Sequence, residues 1–113
     1  MKELQEWLGT LRGIYSVDKD LDGTITFCWL SQLYLQAFEL YNITYIDIRD
    51  ENLRILHPDI ITLRNLKIFN LSNNPDLILT QSQADFISSI QEHSDLSKFT
   101  IIPDSDLAKD LFL

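Results

Sequence analysis

Cross-linking groups and residues with special backbone conformations are scarce in this sequence. Its 113 residues include one cysteine, three glycines and three prolines. Because Cys28 has no second cysteine to pair with, an internal disulfide framework and a zinc site made of several cysteines are both excluded. Hydrophobic residues make up 45% of the chain, and no segment is low in complexity. We therefore expect one domain, residues 1–113, that is stabilised by a hydrophobic core.

Long apolar runs are also missing. No stretch approaches the roughly 18 consecutive apolar residues that a membrane span requires. The first residues, MKELQEWLGTLRG, include acidic side chains and no continuous apolar run, in contrast to a secretory signal. Together with the single cysteine, these absences predict a reducing, cytoplasmic location.

Basic residues are fewer than acidic residues. The sum of Lys and Arg is 9 against 17 for Asp and Glu, which gives a formal net charge of -8 at pH 7. This charge would repel a nucleic-acid backbone or an anionic lipid surface, so we expect no nucleic acid and no membrane as partner. Two interpretations of the charge stay open: it keeps the protein in solution, or it attracts a basic protein.

Catalytic patterns are absent from the sequence as well. His57 and His93 lie far apart along the chain, and Cys28 begins an apolar run that is typical of a core position. The sequence contains neither a phosphate-binding loop nor a nucleophile elbow. We therefore predict no catalytic residues, no cofactor and no enzymatic activity.

A recurring pattern of apolar residues dominates what is present. The clearest copy is LKIFNLSNNPDL, residues 66–77, in which Leu66, Phe69 and Leu71 are followed by Asn74. The same spacing recurs in three other segments, which begin at Leu11, Ile43 and Leu96. These starts predict an N-terminal cap at 1–10 and repeat units near 11–42, 43–65, 66–95 and 96–113.

Each copy predicts a short strand and a turn, because apolar and polar residues alternate before a run of turn-forming residues. The spacers between copies predict helices, which begin at a proline or have apolar residues at helical spacing. The first predicted helix contains Leu30, Leu33, Tyr34, Ala37, Phe38 and Tyr41 on one face. The second is a turn or two that begins at Pro58. The third contains Phe86, Ile87 and Ile90 on one face and is capped by Thr80 or Ser82. Strands that alternate with helices predict parallel pairing.

The stretch ILHPDIITLRNLKIFNLSNNPDL has leucines at three- and two-residue steps before an asparagine, and in this it resembles the leucine-rich-repeat family. The resemblance implies an α/β fold, a short leucine-rich-repeat solenoid with a small parallel sheet on one face and helices on the other. It also implies that the outward face of the parallel strands binds another protein. The turn asparagine of the family is present only as Asn74, and Lys19, Glu51 and Asp104 replace it in the other copies.

The predicted register identifies the side chains on the outward face of the sheet. Parallel stacking places Tyr15, Asp47, Asn70 and Thr100 in one row. Tyrosine and arginine are frequent anchors in protein interfaces, so we predict a protein-binding adaptor or inhibitor module. The predicted partner-binding residues are Tyr15, Tyr45, Asp47, Arg49, Asp50, Ile68, Asn70 and Asn73.

A second, local resemblance concerns residues 18–29. The segment DKDLDGTIT resembles the first part of an EF-hand calcium loop, although Trp29 stands at the twelfth position, where that family has a glutamate. Two interpretations stay open: an acidic turn after the first strand, or a calcium-responsive module as the alternative function. The calcium ligands that the resemblance implies are Asp18, Asp20, Asp22 and the carbonyl of Thr24.

Overall fold

The computed structural model describes residues 2–17 and 26–106, with only the backbone described for residues 2 and 34–39. In these ranges the strands are β1 (Ile14–Ser16), β2 (Phe27–Trp29), β3 (Tyr45–Asp47), β4 (Ile68–Asn70), β5 (Ile78–Thr80), β6 (Glu92–His93) and β7 (Thr100–Ile102). The α-helices are α1 (Lys2–Gly9) and α2 (Gln81–Ser88), and 3-10 helices span Leu30–Asn42, Pro58–Thr62 and Leu96–Lys98. None of the helices in the described ranges has the length and apolarity needed to cross a membrane.

The strands form two small sheets. The larger sheet has the order β2-β1-β3-β4-β6, and the smaller one pairs β5 with β7. β3, β4 and β6 pair in parallel, as do β5 and β7, whereas β1 is antiparallel to both of its neighbours. β3 and β4 pair in the predicted register, with Asp47 opposite Asn70. The protein therefore has a mixed α/β architecture with a small, mostly parallel sheet, as the sequence predicted.

The first predicted strand runs in the direction opposite to the expected one. β2 pairs antiparallel with β1, and the 3-10 helix Leu30–Asn42 then carries the chain past β1 to β3. Parallel strands need a crossover of about a dozen residues or more, and this helix provides it between β2 and β3. β1 lies between those two strands with reversed direction. The predicted row that joined Tyr15 to Asp47 is wrong, because Ile14 lies opposite Asp47 and Tyr15 lies opposite Ile46.

The last predicted strand exists, but it belongs to the smaller sheet. Thr100–Ile102 pairs with β5, and β6 occupies the position beside β4. Paired residues of the parallel strands are 23 residues apart from Tyr45 to Ile68 and 24 apart from Ile68 to Glu92. The strand beside β4 begins at Glu92, and Thr100 lies too far along the chain to take that place. The predicted row through Asn70 and Thr100 is therefore wrong.

One hydrophobic core joins the inner side of the larger sheet to the helices. Tyr15, Ile46 and Phe69 lie side by side on three neighbouring strands, and each is at most 1% exposed. α1 packs against the 3-10 helix that follows β2. The leucines fully buried there are Leu4, Leu8, Leu30 and Leu33. Burial of each such side chain contributes about 2 kcal/mol, so the N-terminal helix is an integral part of the fold.

The helix starts predicted in the second half of the chain are found. The hydroxyl of Thr80 accepts the N–H of Gln83 at 3.1 Å, and the Gln83 side chain accepts the N–H of Thr80 at 3.1 Å, which is a capping box. Pro58 begins a 3-10 helix, as expected. Ser82, the other candidate cap, instead donates to Asp104 from its backbone N–H at 3.0 Å and from its hydroxyl.

A buried amide joins consecutive turns at the carboxyl ends of the parallel strands. Asn74 is 1% exposed. Its Oδ1 accepts the N–H groups of Glu51 and Leu53 at 3.1 and 3.0 Å. Its Nδ2 donates to the carbonyls of Ile48 and Leu71 at 3.1 and 2.8 Å. The turn after β3 and the turn after β4 are therefore fixed to each other by one side chain.

Glu51 makes the corresponding connection to the chain that enters β1. Its Oε2 accepts the N–H groups of Arg12 and Gly13 at 2.5 and 2.8 Å. The backbones approach so closely here that a Cβ at Gly13 would clash with the carbonyl oxygen of Asp47. Only glycine fits at this position without a shift of the backbone.

Replacement of Asn74 by alanine will leave several buried backbone N–H and carbonyl groups without partners. Each such group costs about 1–3 kcal/mol. We therefore expect Asn74→Ala to lower the free energy of unfolding by about 3 kcal/mol or more, measured by urea denaturation. Asn73→Gly is the control, because Asn73 is exposed with a φ of 60° that glycine adopts freely, and its effect should stay below about 1 kcal/mol. Equal losses in the two variants would contradict this role of Asn74.

Candidate functional site

The outward side of the larger sheet presents two rows of side chains, which we call the strand face. Paired residues on neighbouring strands point to the same side of a sheet, and direction alternates along each strand. The first row contains Phe27, Ser16, Tyr45, Ile68 and Glu92, and the second contains Trp29, Ile14, Asp47 and Asn70. The strand face therefore crosses all five strands of the sheet.

Aromatic side chains form the β2 end of the strand face. The rings of Phe27 and Tyr45 meet edge to face, with centroids 5.1 Å apart and planes at 72°. Ser16 lies between these two residues and is only 1% exposed, because its small side chain lets the rings meet above it. Phe27 and Trp29 nevertheless remain 51% and 60% exposed. Large, exposed aromatic side chains on adjacent positions of one face are typical of an interaction surface.

A charged cluster lies at the centre of the strand face. Arg49 donates to Asp47 from Nη2 at 2.6 Å and from Nε at 3.0 and 3.1 Å, and the Tyr45 hydroxyl donates to the same carboxylate at 3.4 Å. Burial raises the pKa of Tyr45 above its ordinary value of 10.0, and the charge and hydrogen bond of Asp47 raise it further. The hydrogen bond and charge of Asp47 also raise the pKa of Arg49. The Arg49 side chain stays 55% exposed, so the cluster presents an oriented guanidinium to solvent.

Fixed polar groups form the opposite end of the strand face. The Oδ1 of Asn70 accepts the N–H of Ser72 at 2.9 Å and the hydroxyl of Ser94 at 3.3 Å. The Ser94 oxygen accepts the N–H of Leu71 at 2.7 Å. These contacts hold Asn70 and Ser94 in defined orientations, so a partner would meet them without further ordering of the side chains.

Two hollows adjoin the carboxyl ends of the parallel strands. One, of about 340 Å³, is lined by residues that include Trp29, two arginines and three acidic residues. The charged residues are Arg12, Arg49, Asp47, Asp50 and Glu51. The other, of about 740 Å³, lies between successive turns, and its lining includes Asn52, Asn73, Asp95 and Lys98. Both hollows are open to solvent, in contrast to the enclosed pocket that is typical of a small-molecule site.

Most of the predicted partner-binding residues lie together in the structure. Tyr45, Asp47, Ile68 and Asn70 are on the strand face. The other three follow the carboxyl ends of β3 and β4, all exposed: Arg49, Asp50 and Asn73. Asp50 and Asn73 have positive φ angles of 57° and 60°, which mark tight turns after the two strands.

The prediction that Tyr15 faces a partner is wrong. Tyr15 is 1% exposed and lies opposite Ile46 and Cys28 on the core side of the sheet. The pairing register of β1 is the physical reason, because it places Ile14 and Ser16 opposite the outward residues of β3. A shift of pairing by one residue exchanges the two faces of a strand.

Five residues of the strand face were not predicted from the sequence: Ile14, Ser16, Phe27, Trp29 and Glu92. Phe27 and Trp29 were assigned to the calcium-like segment or to the start of a helix, and Ile14 was assigned to the core. The alternation Phe27-Cys28-Trp29, with a small residue between two large aromatic ones, was the available signal for a strand. Cys28 is half-buried and packs against the core, as its apolar surroundings predicted.

The calcium and catalytic alternatives gain no support from the described ranges. Asp18, Asp20, Asp22 and Thr24, the implied calcium ligands, lie outside the described residues. Among the described residues, no group of three or more His, Cys, Asp and Glu side chains is arranged to hold a metal ion. His57 lies near the Trp7 ring, with centroids 6.3 Å apart, and His93 is exposed on β6.

The fold and the strand face together define a small mixed α/β protein with a mostly parallel sheet, one side of which is open to contact. Comparisons of the chain with protein-family models, with curated proteins and with solved structures found no match. The geometry of the strand face is therefore the basis for a proposed function.

The raised pKa of Tyr45 provides a test of the charged cluster in solution. A raised folded-state pKa means that the contribution of Tyr45 to stability is present below pH 10 and is lost as the pH rises further. In ultraviolet titration, the difference between the wild-type chain and Tyr45→Phe should show a tyrosine with a midpoint above 10.0. Asp47→Asn should lower this midpoint, because the negative charge is lost and the amide oxygen is a weaker acceptor for the hydroxyl than the carboxylate. Asp50→Asn, which removes a carboxylate that does not contact Tyr45, should leave the midpoint unchanged.

Proposed function

We propose that this protein is a short leucine-rich-repeat solenoid that holds another protein on its strand face and acts as an adaptor or inhibitor. The 23- and 24-residue spacing of the paired positions on β3, β4 and β6 supports a stack of similar units. The hydrogen bonds that Asn74 makes between two turns also support a stack of similar units. Asn74 is the turn asparagine on which the resemblance to the leucine-rich-repeat family depends.

The composition of the strand face is the observation that carries the binding proposal. Trp29, Phe27 and Ile14 form an apolar end, Tyr45 with Asp47 and Arg49 a charged centre, and Asn70 a polar end. Interfaces commonly combine aromatic and arginine anchors in this way with a rim of satisfied polar groups. The side chains at the centre and at the polar end are already held by hydrogen bonds, so little conformational entropy would be lost when a partner binds.

The charge of the chain supports a basic partner. With a formal net charge of -8, the protein attracts cationic surfaces at long range and speeds their approach. Salt should weaken this attraction, because mobile ions screen exposed charges beyond roughly 10 Å at 0.1 M ionic strength.

A double substitution at the centre of the strand face tests the proposal. Tyr45→Ala combined with Arg49→Ala removes a ring and a guanidinium without removing a core side chain. Proteins retained by the immobilised wild-type chain should be depleted on the double variant, and a retained protein, once purified, should bind it at least about tenfold more weakly by calorimetry. Circular dichroism will establish that the variant is folded.

Tyr41→Ala is the matched control for this experiment. Tyr41 is 54% exposed, similar to Phe27, but it lies at the end of the 3-10 helix and not on the strand face. Its replacement should leave partner binding unchanged. Equal binding by the wild-type chain and by the double variant, or equal losses in the double variant and Tyr41→Ala, would count against binding through the strand face.

A further inference from the structure

β2 is an edge strand whose free side can be assigned from its pairing. Among the described residues, no strand pairs with the side of β2 that faces away from β1. The N–H of Leu30 donates to the carbonyl of Gly13 at 2.9 Å, and Tyr15 pairs with Cys28. Because hydrogen-bonded pairs alternate along an antiparallel ladder, the backbone groups of Cys28 point to β1. The backbone groups of Phe27 and Trp29 therefore point to the free side.

The same two residues carry the most exposed aromatic side chains of the strand face. Phe27 is 51% exposed and Trp29 is 60% exposed. An incoming strand would thus find backbone donors and acceptors together with two aromatic rings to pack beside. Strand addition depends on this combination, in which main-chain hydrogen bonds give affinity and alternate side chains give specificity.

We propose that the free edge of β2 binds an extended segment of a partner protein as an additional strand, and that this segment has apolar residues at alternate positions and a basic residue at its end. The proposal rests on the proposed function, and it names the element and the peptide chemistry through which the partner would bind. The apolar residues of the segment lie beside Phe27 and Trp29 on the strand face, because side chains in the same row of a sheet are neighbours.

The exposed area favours a peptide over a second copy of this chain. If a full aromatic side chain offers about 200 Å², Phe27 and Trp29 together expose roughly 200 Å² at the edge. A stable protein dimer needs about 800 Å² from each partner. The formal net charge of -8 on each chain also opposes self-association, whereas it attracts a basic segment.

The hollow beside Trp29 gives a position for the basic residue. Three acidic residues, two arginines and Trp29 are among the residues that line it. Asp47 is paired with Arg49, which leaves two acidic residues, Asp50 and Glu51, against Arg12. A lysine or arginine at the end of the added strand would lie between an exposed carboxylate, that of Asp50, and an aromatic face that favours cations.

The test uses a fluorescein-labelled peptide of alternating valine and threonine with a lysine at each end, and fluorescence anisotropy as the readout. The full-length wild-type chain should bind this peptide, and it should bind a version with terminal glutamates, or one that is N-methylated at every amide, at least about tenfold more weakly. Trp29→Ala should weaken binding about tenfold, since the aromatic contact is lost. Tyr41→Ala should leave binding unchanged.

Trp29→Pro separates backbone pairing from side-chain contact. Trp29 has a φ of -71°, which proline adopts without strain, and its N–H points away from β1, so the substitution is compatible with the fold. Thermal melting will establish that the variant is folded. If the peptide adds as a strand, Trp29→Pro will bind it more weakly than Trp29→Ala does, because a backbone donor has been lost as well.

Three outcomes would overturn the proposal. The first is that the wild-type chain does not bind the lysine-flanked peptide. The second is that Trp29→Pro and Trp29→Ala bind it equally and N-methylation of the peptide has no effect. The third is that sedimentation shows a wild-type dimer that Trp29→Pro dissociates. If one of these occurs while the Tyr45 and Arg49 double variant still loses its protein partner, only strand addition fails. If that double variant keeps its partner as well, the proposed function fails too.

Discussion

The strands of this protein are only three residues long or shorter, so most of the backbone between them needs hydrogen-bond partners from outside the ladders. The amide of Asn74 meets part of this need at two turns at once, since it accepts two N–H groups and donates to two close carbonyls. A carboxylate could not donate, and an apolar side chain could do neither. The spacing that this amide imposes between the turns also fixes the alignment of β3 with β4. The rows of the strand face depend on that alignment.

Glu51 and Asn74 both follow a parallel strand, but Glu51 contacts the segment that enters the reversed strand β1. The chain that lies beside it enters the reversed strand β1 and offers two N–H groups, from Arg12 and Gly13, to a single carboxylate oxygen. Because the neighbouring backbone presents only N–H donors here, a side chain that can only accept hydrogen bonds is sufficient. A charged acceptor also forms stronger hydrogen bonds than a neutral one. A glutamate at position 51 is therefore consistent with the direction of β1. The close approach at Gly13 belongs to the same arrangement, since it brings β1 between β2 and β3.

The sequence predicted the strands at Tyr45–Asp47 and Ile68–Asn70 and their register, because both copies have clear alternation and equal spacing. It did not predict the direction of β1, since apolar spacing is the same when a strand is reversed. The error at Tyr15 has a separate cause: the repeat pattern assigned Ile14 and Ser16 to the core, whereas the pairing register places Tyr15 there. β6 was missed because Glu92 and His93 are exposed and polar, so no apolar pattern marked a strand that only backbone pairing defines. The aromatic end of the strand face was not predicted, because the acidic residues before Phe27 resemble a calcium loop and do not indicate a strand.

The contact between Ser82 and Asp104 links the last described segment to the start of α2. The hydrogen bonds from Ser82 hold the pKa of Asp104 below its ordinary value of 3.8. A lowered pKa means that the contact contributes fully above that value and is lost as the pH falls through the folded-state pKa. Among the described strands, β7 pairs only with β5, and Ile101 at its centre is 42% exposed. In acid, amide hydrogens of β7 should therefore exchange with solvent earlier than those of β3 and β4, so that local opening of the smaller sheet precedes opening of the larger one.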